Sequence, residues 1–109
     1  MDFAAVREIG LALPSVKDGT TPRGFALKLR GKLLACEAIH KSAEPNSLMV
    51  RIGLDDRERL LSSEPDVYYA TEHYSSYAVV LVRLPVIDRR SLRDLLDTAW
   101  QFVGTKEAK

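Results

Sequence analysis

Apolar side chains recur every three or four residues at the start of the chain, at Phe3, Val6, Ile9 and Leu13, with Asp2, Arg7 and Glu8 between them. That spacing predicts an amphipathic helix from Asp2 to about Ala12, ended near Pro14. Ser15 to Pro22 is dense in turn formers and has no period, so it reads as a surface loop. Gly24 to Arg30 alternates instead: Phe25, Leu27 and Leu29 share one face, and Lys28 and Arg30 share the other. Arg30-Gly31 marks a tight turn into a second strand, Lys32 to Ile39, whose alternation is too blurred to set its register. A polar loop, His40 to Asn46, leads to a third strand, Ser47 to Gly53, with Leu48, Val50 and Ile52 opposite Met49 and Arg51.

The second half of the chain repeats the alternation of periods. Asp55 followed by Glu58 resembles a capping box and starts a short helix that Pro65 stops. Asp66 to about Thr71 and Tyr77 to Leu84 are rich in tyrosine and valine and predict strands four and five, with Glu72 to Ser76 turning between them. The last strand is apolar on both parities, which suits a strand covered on both faces near the middle of the sheet. Asp88 caps a final helix carrying Leu92, Leu95, Leu96, Ala99 and Val103 on one face, with Gly104 as its stop. The order is α-β-β-β-α-β-β-α, an α+β fold in two layers built on an antiparallel five-stranded sheet.

Composition narrows the function classes. The 109 residues suit one domain, 1–109. Sixteen basic and fifteen acidic residues leave a net charge of +1, so no global field draws the chain to nucleic acid or anionic lipid. A single cysteine, Cys36, excludes an internal disulfide and is typical of a reducing compartment. Met1 to Arg7 lacks the basic-then-apolar pattern of a leader, and no stretch has the apolar length of a membrane span. The expectation is a cytoplasmic protein with no membrane partner.

Chemical motifs are absent. Gly24 to Lys32 superficially resembles a phosphate-binding loop, but the glycine spacing is wrong and Leu33 stands where a hydroxyl would hold magnesium. His40 and His73 belong to no pattern that puts two imidazoles on one metal, and Cys36 has no neighbouring base. Asp55, Asp56 and Glu58 are explained by their place at a helix start. The reading is therefore no enzyme, no cofactor and no metal. Tyr68, Tyr69, Tyr74 and Tyr77 form the densest aromatic group, which fits strand packing first and base stacking second. The one slant toward function is a set of basic residues on the strands: Lys28, Arg30, Lys32 and Arg51, with Arg83 as an outlying member.

Several stretches together resemble the MmcQ/YjbR family of small bacterial proteins, often described as DNA-binding. They are Leu11-Ala12-Leu13-Pro14, the Gly31-Lys32 hairpin, Leu48 to Ile52, Tyr77-Ala78-Val79-Val80-Leu81, and Ser91 through Val103. Tyr77 stands where the family usually opens this strand with Trp, and Ala99-Trp100 where it has Ser-Tyr. The resemblance implies an α-β3-α-β2-α fold similar to that of secretion chaperones, and no catalytic residues. Two functions follow from it: a DNA-binding or transcription-associated module using Lys28, Arg30, Lys32 and Arg51 on double-stranded DNA, or a protein-interaction module with an exposed apolar patch or open sheet edge.

Overall fold

The computed structural model describes residues 1–19 and 24–108. Its elements are α1 (Phe3–Leu11), β1 (Val16–Asp18), β2 (Ala26–Leu29), β3 (Lys32–Glu37), β4 (Ser47–Arg51), α2 (Leu54–Ser63), β5 (Tyr68–Tyr69), α3 (Glu72–Ser75), β6 (Val79–Arg83) and α4 (Arg89–Ala108). The strands form one antiparallel sheet in the order β1-β2-β3-β4-β6-β5.

The sheet has six strands, not five. The added one, β1, lies inside the segment read as a loop, of which Thr20, Thr21 and Pro22 fall outside the described residues. Val16, Lys17 and Asp18 pair with Leu29, Lys28 and Leu27. Three residues are too few to display a period of two, so partnership with β2 makes this strand, not its own pattern. Glu72 to Ser75 is likewise a helical turn, opened by the Thr71 side chain accepting from the Tyr74 amide. Strand four shrinks to Tyr68–Tyr69, because Val67 and Tyr68 both donate to the Glu64 carbonyl in the turn around Pro65.

Helix ends show similar local decisions. Asp2 accepts from the Ala5 amide at 2.9 Å and Asp88 from the Ser91 amide at 2.7 Å, so each caps its helix; of the two, Asp88 is the cap that the sequence suggests. α2 instead starts at Leu54 behind Gly53, with no side-chain cap; Asp55 and Asp56 lie in its first turn, where they complement the dipole. Gly104 does not stop α4, which runs on to Ala108 through helix-compatible residues; one glycine costs only about 1 kcal/mol.

The blurred alternation of β3 has a specific cause. Leu27 pairs with Ala35 while Lys28 pairs with Leu33, so the register shifts by one residue between them. This bulge turns both Leu34 and Ala35 into the main core, and both are fully buried. The core lies between the sheet and α1 and α4, where Val6, Leu27, Leu29, Val50, Val80 and Leu96 are inaccessible to solvent. Leu92, Leu95, Ala99 and Val103 join them, as the periodicity of α4 requires. α1 comes close enough that a side chain at Gly10 would collide with Leu27.

α1, α2 and α4 all pack their apolar residues on this one face. The opposite face carries Ala26, Lys28, Leu33, Cys36, Met49, Arg51, Val79 and Leu81 by register, and among the described residues α3 and the β3–β4 loop lie over it. There Tyr74, Val79 and Leu81 make a second, smaller cluster. β6 is thus covered on both sides, although it sits one strand in from the edge and not at the middle.

Leu96 is the sharpest test of this layering. Leu96→Ala is expected to cost about 2–5 kcal/mol in a denaturant titration, as a large-to-small change in a filled core does. A loss below about 1 kcal/mol would mean that α4 does not bury this side chain.

Candidate functional site

The open face of the sheet is where apolar and basic side chains remain uncovered by the long helices. Two hollows lie side by side on it, of about 430 Å³ and about 500 Å³. They share Leu33, Met49 and Tyr74, so they form one trough with Tyr74 standing between its halves. Phe25, Ala26, Cys36 and Ile39 complete the first half; Tyr77, Val79, His73 and Arg51 complete the second. Ile39 and Tyr77 are more than half exposed, at 53% and 58%, and they mark the trough as apolar surface left in water.

The bulge in β3 helps to make this floor. With Leu34 and Ala35 both sent to the core, Leu33 returns to the open face beside Lys28, and Cys36 comes to lie beside Met49 and Ala26. Cys36 is half-buried, and burial, reinforced by Glu37, raises its thiol pKa, which leaves it in the poorly nucleophilic protonated form.

The four basic residues singled out in the sequence divide. Lys28 and Arg51 do share the open face, one at each half of the trough, with Leu33 between their strands. Arg51 donates from Nη1 to the Leu33 carbonyl at 3.3 Å, which fixes its stem along the floor. Lys32 pairs with Leu29, a core residue, and so leaves the sheet on the helix side. Arg30 sits in the hairpin turn with φ of 52°, followed by Gly31 at 83°, the pair of left-handed residues that a two-residue hairpin demands. Sequence reasoning missed Lys17, which faces Lys28 across β1 and β2; no alternation was there to reveal it.

Arg83 is a structural residue and leaves the basic set. It grips Glu44 through two bonds, Nε to Oε1 at 2.9 Å and Nη2 to Oε2 at 2.8 Å. Its Nη1 donates to the Pro65 and Asp66 carbonyls, and its guanidinium lies 4.4 Å above the Tyr69 ring. Hydrogen bonding to Arg83 holds the Glu44 carboxyl below its usual value, and Glu44 in turn raises the Arg83 pKa.

The tyrosines serve the same end. Tyr68 is core, while the Tyr69 hydroxyl accepts from the Glu44 amide at 2.8 Å and meets Ser47 Oγ, and the Tyr74 hydroxyl accepts from the His40 amide at 3.1 Å. The β3–β4 loop is thus pinned over the open face at both ends. Arg57 of α2 holds the far side, donating from Nη1 to the Tyr77 carbonyl at 2.9 Å.

No family model matches the chain. Over 69 residues, 61% of its length, it is 35% identical to Uncharacterized protein Rv2570 of Mycobacterium tuberculosis and to Uncharacterized protein Mb2600 of Mycobacterium bovis. The match covers 54% of those proteins, so the chain spans about half the length of the curated relatives it matches. Among solved structures it is similar to protein DR2400 of Deinococcus radiodurans, a DUF419 domain, with a TM-score of 0.76 at 18% identity over 97% of this chain and 80% of that one. DUF419 belongs to the MmcQ/YjbR-like fold family, so the likeness supports the mixed α+β fold on an antiparallel sheet that the sequence resemblance implied, with six strands here in place of five.

The pinning predicts a pH-dependent variant. Because the folded pKa of Glu44 is depressed, its pairing with Arg83 is present above the ordinary value of 4.5 and is lost as pH falls through the folded value. Arg83→Met is expected to lower the melting temperature by about 5 °C at neutral pH, with the gap to wild type narrowing as pH drops below 4.5. A gap independent of pH would show that the ion pair contributes nothing.

Proposed function

We propose that the chain is a non-catalytic binding domain whose open sheet face receives an extended segment of a partner protein. The observation that carries this is the trough: two apolar hollows joined over Leu33, Met49 and Tyr74 on a sheet whose other face is filled by α1 and α4. Charge complementarity selects the segment. Lys28 and Arg51 stand at the two halves, while the lining carboxylate Glu37 reaches back over Gly24, where an added Cβ would sit 2.6 Å from its Oε1. An extended strand with apolar residues on one side and carboxylates on the other matches that pattern. The absence of a catalytic role is supported by the residues with reactive chemistry: the Cys36 thiol is shifted toward its protonated form, and His40 Nδ1 is occupied by the Ser42 amide at 3.1 Å.

A second reading has one specific observation in its favour. Lys17, Lys28 and Arg30 line a hollow of about 340 Å³ with Ser15 and Gly31 at the β1 edge, a cluster of basic side chains suited to backbone phosphates of duplex DNA. Lys28 belongs to both readings, whereas Arg51 belongs to the trough alone.

Two titrations separate them. A labelled octapeptide alternating leucine and glutamate is expected to bind about tenfold more tightly than its leucine–lysine counterpart, and Met49→Glu is expected to abolish binding by placing a carboxylate on the apolar floor. Equal affinity for both peptides, or indifference to Met49→Glu, would overturn the trough reading. With labelled duplex, the DNA reading expects log K to fall against log salt at a slope of about −3, flattened by about 1 in Lys28→Ala and unchanged in Arg51→Ala. Absence of duplex binding at low salt removes that reading.

A further inference from the structure

His40 and His73 are far apart in sequence, yet their rings stack with centroids 3.6 Å apart and planes within 3°. The Tyr74 ring stands edge-on to both, at 6.1 Å from His40 and 4.9 Å from His73. His40 belongs to the loop between β3 and β4, and His73 to α3, so the stack joins the two pieces of chain that lie over the open face.

The protonation state of His40 follows from its partners. The Ser42 backbone amide donates to Nδ1 at 3.1 Å, and an amide can only donate, so Nδ1 carries no proton and the ring is neutral with its hydrogen on Nε2. Ser42 Oγ lies 2.8 Å from the same nitrogen and 2.9 Å from Thr71 Oγ1, the side chain that caps α3. A proton added at Nδ1 would point at the Ser42 N–H and remove that bond, leaving Ser42 Oγ as the one acceptor for it. If His73 were charged as well, two imidazolium rings would face each other at stacking distance.

We propose that the His40–His73 stack is a proton-released latch, closed when His40 is neutral, that fastens the β3–β4 loop to α3 along the rim of the trough. This rests on the trough being the binding surface. The connection is direct: His73 lines the second half, Ile39 next to His40 lines the first, and Tyr74, bonded to the His40 amide, divides them. The groups facing the rings are Lys41 from the same loop, Tyr74 from α3, and Tyr77 at 6.3 Å from His73; no carboxylate forms an ion pair with either ring among the described residues. Desolvation first, then the like charges of His73 and Lys41, lower the His40 pKa from 6.5. With a depressed folded value, the latch is fully closed above 6.5 and opens as pH falls through that lower value.

Nuclear magnetic resonance across a pH titration reads the latch with no partner present. In wild type, His40 is expected as the Nε2–H tautomer, titrating below 6.5, with the Ser42 amide and Tyr74 ring resonances moving along the same curve. His73→Phe keeps a ring to stack on but removes a charge, and should raise the His40 midpoint. His40→Gln, whose side-chain oxygen can still accept from Ser42, should leave the loop resonances unchanged down to about pH 5. A His40 titrating at or above 6.5, or loop resonances that move alike in wild type and His40→Gln, would overturn the latch whether or not peptide binds. The acidic octapeptide supplies the second arm: on going from about pH 7.5 to about 5, wild-type affinity should fall at least about threefold further than that of His40→Gln, because fewer molecules keep the trough ordered. Parallel loss in both proteins would deny the latch a role in binding and leave the trough reading standing.

Discussion

In this domain α1, α2 and α4 all bury their apolar residues in one core on the same face of the six-stranded sheet, which leaves the other face to a four-residue helix and a loop. Everything distinctive follows from that asymmetry. The face they cover is a conventional core, sealed by residues such as Leu27, Leu48, Val80 and Leu96 with no measurable exposure. The face they leave carries Ala26, Leu33, Met49, Val79 and Leu81; Val79 and Leu81 are buried in the cluster around Tyr74, while Leu33 and Met49 are only half-buried. A short helix and a loop cover part of it, and what they leave uncovered is the trough.

A cover of so few residues has little hydrophobic area of its own, so polar contacts hold it. Tyr69 and Tyr74 use their rings against Leu81 and Val79 and their hydroxyls on the β3–β4 loop, a division of labour natural to tyrosine at a half-buried surface. Arg83 ties Glu44 to the turn around Pro65, and Arg57 ties the carbonyl of Tyr77 to α2. The histidine stack is the one fastening in this set whose ring charges in the mildly acidic range, which is why regulation is placed there and not at the arginine clamps.

Legibility in the sequence tracked the number of residues that share a period. α4, with five core positions in register, and α1 could be read directly, as could the open-face placement of Lys28 and Arg51 from alternation in β2 and β4. β1 could not, because three residues show no period and its identity comes from pairing with β2. The bulge at Leu34 and Ala35 defeated alternation in β3, so the side of the sheet that Lys32 takes could not be read from the sequence and follows from its pairing with Leu29. The trough was invisible for a different reason: it is assembled from β2, β3, β4, α3 and the start of β6, and only the sheet order brings Leu33, Met49 and Tyr74 together. The same is true of His40 and His73, whose separation along the chain gives no hint of a shared stack.

The central claim is that the face left open by α1 and α4 is the surface where partners bind. It is tested most directly by mapping chemical shifts in the isotopically labelled protein as the leucine–glutamate octapeptide is added. The account predicts that perturbations concentrate at Leu33, Ile39, Met49, Tyr74 and Tyr77, while residues on the outer surfaces of α1 and α4, such as Glu8 and Arg93, stay still. Perturbations centred on α1 and α4, with the Met49 methyl unmoved, would contradict it.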